Sequence, residues 1–498
     1  MDPIKLQLLK QVAQVDIYDK SIQNDGTTIY FLGRDADGNK KVGMCATEGH
    51  GEVHGENRGK TEGKLVTVGP ADHANAEAIR RGLPWTAPRC IGLSTSAGLG
   101  DRLGLATPGH IRAMRAKGGE VVGILAQQSI REMTRTNRTP DEVMDAATFG
   151  VLQEGYTDGF GSDADHLQKP EDIDVTVKAG FTMFTIDPGL HVVNDADTMG
   201  VGELANRYDQ LDFDTLRIGS DDLKSRYDEQ SFDLEDGDKV SFGGDAFLRA
   251  AVKYGGAVAH TVKMYQHLKQ VAGDRPFELE VSVDETESPT SPAEHYFFAA
   301  ELKRLGVEWV SMAPRFVGRF EKGVDYIGDL DEFRASFKRH AAVMRTLGPY
   351  KISIHSGSDK FSIYPLVAEM TGGLVHLKTA GTSYLEALRA IAKINPGLYR
   401  EILDFARGRY EVDKATYHVS ADVSKVPPAD SLSDEELPRL LDNFDARQTF
   451  HVTFGSVLTN DDFRSRFYDA LRSGEEAHYA VLATHLGKHV EPLAEVAR

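Results

Sequence analysis

The sequence predicts an α/β fold: a (β/α)8 barrel of the TIM type, preceded by a small N-terminal α/β module and interrupted by long loop insertions. Three observations predict it. Eight short runs rich in β-branched and aromatic residues recur from residue 90 onward. Helical patterns such as SYLEALRAIAKI (383–394) separate most of them, the texture of βα units on a parallel sheet. Ionisable residues are dense just after the runs, as expected where a barrel builds its reactive face. A doubly wound open sheet is the alternative architecture.

Residues 1–87 read as the separate module. IYFLGRDADGNKKVGMCATE (29–48) gives two strands around an Asp-Gly turn, and KLVTVG (64–69) a third. DHANAEAIRRG (72–82) reads as a helix closed by Gly82, with Pro84 beyond it. The glycine-rich stretch 49–63, which holds His50 and His54, reads as a mobile polar loop. The barrel then occupies 88–498. Its strands are expected at 90–95, 120–127, 181–187, 277–285, 308–314, 350–357, 373–379 and 450–456. The stretch GSDADHLQKP (161–170) reads as a loop between the second and third of these. Two long excursions, about 188–245 after the third strand and 395–445 after the seventh, read as lids or specificity elements.

Composition narrows the function. The chain has 498 residues, 41% hydrophobic and 27% charged, with a formal net charge of −19. An acidic surface argues against nucleic acid as a partner but leaves room for a small anion held by a local basic cluster. Only Cys45 and Cys90 occur, and no C-x-x-C pair, which excludes a thiolate zinc site and suits a reducing compartment. The N-terminal residues lack an apolar signal core, and no run of about 18 apolar residues exists to span a membrane. The expectation is a soluble cytoplasmic protein. A homo-oligomer is compatible with this composition but not specified by it. The string SAGLGDRLG (96–104) misses the dinucleotide spacing by one residue; it reads as a turn that lets Arg102 reach a carboxylate.

The run ends supply the candidate chemistry. They present Asp101 and Arg102, then Gln127 and Gln128, Asp187, the trio Asp284, Glu285 and Glu287, Arg315, His355, and Lys378. In FELEVSVDE (277–285), alternation puts Glu278, Glu280, Ser282 and Asp284 on one face, and the apolar residues on the other. A carboxylate inside a barrel is costly unless it is paired or metal-bound. Glu280 and Asp284 are therefore candidates for acid/base work or metal binding. His166, His355, His376 and His418 are the histidines able to converge on such a site. No H-x-H or H-x-x-x-H pair makes the metal case locally.

At GSDADHLQKPEDI, VKAGFTMFTIDPG, YKISIHSGSDKFSIYP, GLVHLKTAGTSYLEALR, YHVSAD and HVTFGSVL, together with the long segment from VSVDETESP to VDYIGDL, the chain resembles the tagaturonate epimerase family. The likeness is spread over most of residues 88–460. It implies interconversion of D-tagaturonate and D-fructuronate, with relatives acting on tagatose and fructose, and use of a divalent metal. It implies a metal-and-acid cluster at Asp165 and His166, and points to His355. His418, the third expected ligand, rests as much on its place after the seventh expected strand.

The inverted carbon lies one beyond the neighbour of the ketone and is not adjacent to the carboxylate, so its C–H is not acidified. A retro-aldol opening and re-closure suits it better than proton removal. On this reading a divalent metal (Zn, Mn, Ni or Co) sits on His166, His355 and His418. Asp165 is the base and Glu280 or Asp284 its acid partner. Arg102, Gln128, Arg315 and Lys378 bind the keto-uronate or keto-sugar. Two other classes stay open: a metal-dependent ketose aldolase or isomerase of the same fold, and a non-catalytic sugar-binding module.

Overall fold

The computed structural model describes residues 3–497. Eight parallel strands close into a barrel: β1 Ser96–Leu99, β2 Val122–Ser129, β3 Gly161–Leu167, β4 Met183–Ile186, β5 Glu278–Ser282, β6 Ser311–Ala313, β7 Lys351–Ile354 and β8 Val375–Thr379, with β8 returning to pair with β1. The barrel follows from a pattern repeated in most strands. Outward residues are apolar and meet helices, as with Leu279 and Val281 of β5, which join the main core cluster. Inward residues are polar and buried, as with Glu278, which accepts from the Gly92 amide, and Glu280, which pairs with Lys378 of β8.

Two of the strand assignments made from sequence are corrected. FHVTFGS (450–456) lies within the helix Phe444–Leu458. Its alternation of Phe450, Val452 and Phe454 resembles a strand, but over the longer window Ala446, Phe450, Phe454, Val457 and Leu458 fall at helical spacing and are buried in one cluster. Asn443 caps this helix by accepting from the Ala446 amide. Conversely, GSDADHL, read as a loop, is β3. The first expected run, 90–95, precedes its strand rather than forming it.

The excursions shift accordingly. Residues 188–245 follow the fourth strand, and fold as short helices and a hairpin, Ser231–Asp233 with Lys239–Ser241. Residues 395–445 follow the completed barrel, within a C-terminal layer of helices that ends in Glu475–Ala494. At the N-terminus, an antiparallel sheet contains the three expected strands. It also holds Glu56–Thr61, from the stretch expected to be a mobile loop, which pairs as an edge strand with Lys64–Pro70. Tyr30, Leu32, Val42 and Ile79 of this region pack on Phe149 and Leu152 of the helix Pro140–Glu154. Among the described residues, no helix is long and apolar enough to cross a membrane.

Candidate active site

β3 is where the charge enters the barrel. Its inward residues Asp163 and Asp165 are buried. Lys378 of β8 reaches across to them: its Nζ lies 2.7 Å from Asp163 Oδ2, Asp165 Oδ1 and Glu280 Oε1, and 2.7 Å from Thr185 Oγ1. Burial works against the Lys378 ammonium, but three carboxylates hold its pKa well above the ordinary lysine value. Glu280 and Asp165 respond in the opposite sense. Burial favours their neutral forms, and Lys378 with the nearby imidazoles overrides it, leaving both well below the ordinary carboxylate range. For Asp163 burial wins over Lys378, and its pKa is pushed up to about 6.

At the end of β3 the alternation breaks. His166 has φ +52°, and the pairing register with β4 shifts here. A left-handed non-glycine residue in a bulge re-aims its side chain. The result is that Asp165 and His166, neighbours in sequence, both line the same cavity, of about 40 Å3. His166 Nδ1 sits 3.2 Å from Asp187 Oδ2. His355, one residue beyond β7, lies between two carboxylates, with Nε2 2.6 Å from Glu280 Oε1 and Nδ1 3.0 Å from Asp284 Oδ1. Burial and the Lys378 charge would lower its pKa; the two carboxylates raise it to about 9.

Asp165, His166 and His355 each offer a ligand atom within 4.8 Å of the other two, the compactness a divalent cation requires. A buried oxygen beside them, Glu280 Oε2, has no hydrogen-bond partner among the described residues. This set of nitrogen and oxygen donors fits a divalent metal. A second group, His166 with Asp187 and Glu285, is equally compact and shares His166. A wider cavity of about 290 Å3 adjoins the first, and His355, Ser356, Arg131, Lys322 and Tyr417 line both.

The residues expected from sequence fall into three settings. Asp165, His166, His355 and Lys378 converge on the inner cavity, with Glu280 directly beneath. Asp284, Arg315 and His418 line the outer one; His418 is exposed and stands outside the compact ligand groups. Arg102 lines the inner cavity, buried, in an ion pair with Glu132 at 2.6 Å and stacked on Phe454. Gln128 is buried and lines neither cavity, whereas its neighbour Gln127 donates to Asp165 Oδ2 at 3.1 Å. From sequence Asp163 has no assigned role, and Lys322 is not among the candidates. Alternation along β3 would have found Asp163; nothing local in the sequence marks Lys322.

Comparison with known proteins decides the family. The tagaturonate epimerase family model matches residues 18–493. This chain belongs to the tagaturonate epimerase family. It is 43% identical over 480 residues to the tagaturonate/fructuronate epimerase of Thermotoga maritima, covering 96% of this chain and 97% of that protein. The crystal structure of fructuronate-tagaturonate epimerase UxaE from Cohnella laeviribosi with one glycerol superposes with a TM-score of 0.90 at 38% identity, covering 98% of this chain and 99% of that one. Its native crystal structure gives 0.89 at 39% identity, with the same coverage. By family the chain is an isomerase of the carbohydrate epimerase type.

Proposed function

We propose that this protein interconverts D-tagaturonate and D-fructuronate with the help of a divalent metal, by opening and re-forming a carbon–carbon bond. The observation that carries the anionic substrate is the charge of the inner cavity. Five basic side chains against two acidic ones line it, in a chain whose net charge is −19. Such a local reversal of field draws in and holds a small carboxylate.

Asp165, His166 and His355 are the residues that would hold the metal. When bound there it supplies Lewis acidity toward the ketone oxygen of the substrate. The remaining work falls to the chain's own groups. Lys378 holds Asp165 ionised and oriented. Glu280, fully buried and lining neither cavity, orients His355 and balances Lys378. Asp284 is half-buried, lines the outer cavity, and uses only Oδ1 in hydrogen bonds among the described residues. Oδ2 is left to accept the proton of the hydroxyl on the inverted carbon as the bond opens, and to return it. In this reading the proton-handling role passes from Asp165 to Asp284, because both Asp165 oxygens are engaged by Lys378 and Gln127. The outer cavity gives the freed aldehyde room to turn before the bond re-forms on its other face.

Product analysis by NMR after incubation with D-tagaturonate tests the reaction. Fructuronate is the expected product; three-carbon fragments or an aldose would instead mark an aldolase or isomerase. Deuterium from solvent appearing at the inverted carbon would replace bond cleavage with proton transfer. Metal analysis of His166→Ala tests the ligand set: loss of metal is expected, and full retention with full activity would overturn it.

A further inference from the structure

Lys322 stands where the two cavities meet, and it differs from Arg102, Arg131 and Lys378 beside it. Arg102 is matched to Glu132 at 2.6 Å, Arg131 to Glu285 at 2.8 Å, and Lys378 to three acids. Lys322 Nζ donates to Ser356 Oγ at 2.6 Å, a neutral hydroxyl. Among the described residues no carboxylate lies within ion-pair distance of it, although its charge is felt by Glu285. Ser356 itself is held in the left-handed region at φ +49°, one residue after His355.

The backbone that presents Lys322 is clamped. Buried Lys360 donates to the carbonyls of Glu321, at 2.7 Å, and Val324. Buried Arg447 donates through Nε to Gly323 O at 2.6 Å. Gly323 needs to be glycine: φ is +72°, and a Cβ there would come within 3.2 Å of Leu385. The Glu321 carboxylate is taken by Gln448 and Ser420. A half-buried ammonium fixed in this way, without an acid of its own, is preorganised for an anion that arrives from outside.

We propose that Lys322 reads the substrate's carboxylate and so sets the preference for a keto-uronate over a neutral ketohexose. This rests on the functional reading above and deepens it. Bond opening would leave the carboxylate on the aldehyde fragment, so the same contact would keep that fragment in place while it turns.

The test compares kcat/KM for D-tagaturonate and for D-tagatose, which carries a hydroxymethyl group in place of the carboxylate. The proteins are the wild type, Lys322→Gln and Lys322→Arg. Lys322→Gln is expected to cut the uronate value by about 10- to 100-fold, the range for a hydrogen bond to a charged group, and by at least about ten times more than the tagatose value. Lys322→Arg should recover part of the preference. Equal losses on both sugars, or an unchanged uronate value, would overturn the assignment. A second arm measures binding of the unreactive hexonate D-gluconate by calorimetry on the folded proteins. There, weaker binding by about tenfold in Lys322→Gln supports the assignment and equal affinity overturns it. Should wild type turn over neither sugar, the epimerase reading fails while this arm still judges Lys322.

Discussion

Lys378 and Arg447 are both buried, and both are ringed by carboxylates, yet the two rings are built to different ends. Lys378, at the front, sits among Asp163, Asp165 and Glu280 and lines the inner cavity. Its ring is incompletely satisfied: Glu280 Oε2 has no partner among the described residues, and Asp165 faces the cavity beside the strained His166. Arg447, the rear cation in the sense that it lines neither cavity, spends its donors on Asp359, Glu386 and the carbonyls of Gly323 and Leu441. Asp359, His485 and His489 there are compact enough for a metal. The Arg447 guanidinium already lies 2.9 Å from Asp359 and 3.2 Å from His485, and both His489 nitrogens are hydrogen-bonded. Buried charge does not by itself mark a reactive site; buried charge left partly unmatched beside a cavity does.

Removing the front cation should have the largest effect. Lys378→Met strands three carboxylates and is expected to lower epimerase kcat by at least about 1000-fold, with about 3–5 kcal/mol lost in urea unfolding. Near-normal turnover would break the distinction between the rings. Arg447→Met should cost a similar 3–5 kcal/mol. Its folded fraction should keep kcat within about tenfold, or 1.4 kcal/mol, and lose more in KM for the uronate, because Arg447 holds the segment carrying Lys322. A collapse of kcat at unchanged stability would make the rear ring part of the chemistry.

The same contrast explains what the sequence could tell. Strands with an apolar outer face, such as β5, β7 and β8, were legible, and so were the ionisable residues at their ends. β3 was not, because beside inward acids matched by Lys378, 213 residues away, it offers only Ser162 and Ala164 rather than a bulky apolar face. A strand whose cost is offset by a distant partner carries no local signal. The helix Phe444–Leu458 shows the converse: a short window imitated a strand, and its i to i+4 packing appears only over fifteen residues. The sites followed suit. His355 and Lys378 lie at the ends of legible strands. The convergence of Asp165 and His166 depends on a left-handed residue in a bulge, and the clamp around Lys322 depends on contacts from the C-terminal layer.

Acid should destabilise the fold through the histidines that burial holds neutral, His489 of the rear cluster among them. Burial holds His489 neutral, with its pKa lowered to about 4; His110, His340 and His478 are likewise held near 4. In the unfolded chain these imidazoles titrate near 6.5. Between the two values the unfolded state binds more protons, so stability is full above about pH 6.5 and is lost as pH falls toward 4. Each contributes on the order of 3 kcal/mol across that window. In His489→Gln the fall should be shallower by about one proton. An unchanged slope would mean that His489 is not held neutral in the fold, which would remove the argument that the rear cluster is already satisfied.

The smallest effect separates a contact from a field. Arg319 also lines the outer cavity, but its side chain is 60% exposed and pairs with Glu321 at 3.4 Å. A guanidinium exposed to this degree is screened by water and salt, although its partner Glu321 is buried. Arg319→Ala should change stability by no more than about 0.5 kcal/mol and uronate kcat/KM by less than about threefold, the change expected when a screened charge is lost. Lys322 is half-buried, its backbone fixed by Lys360 and Arg447, and so has little freedom to be replaced by a neighbour. If Arg319→Ala matched the loss in Lys322→Gln, and both faded together in high salt, the general field of the rim would be selecting the anion. If the Lys322 effect persisted in salt while the Arg319 effect vanished, selection would lie in one fixed ammonium at the junction of the cavities.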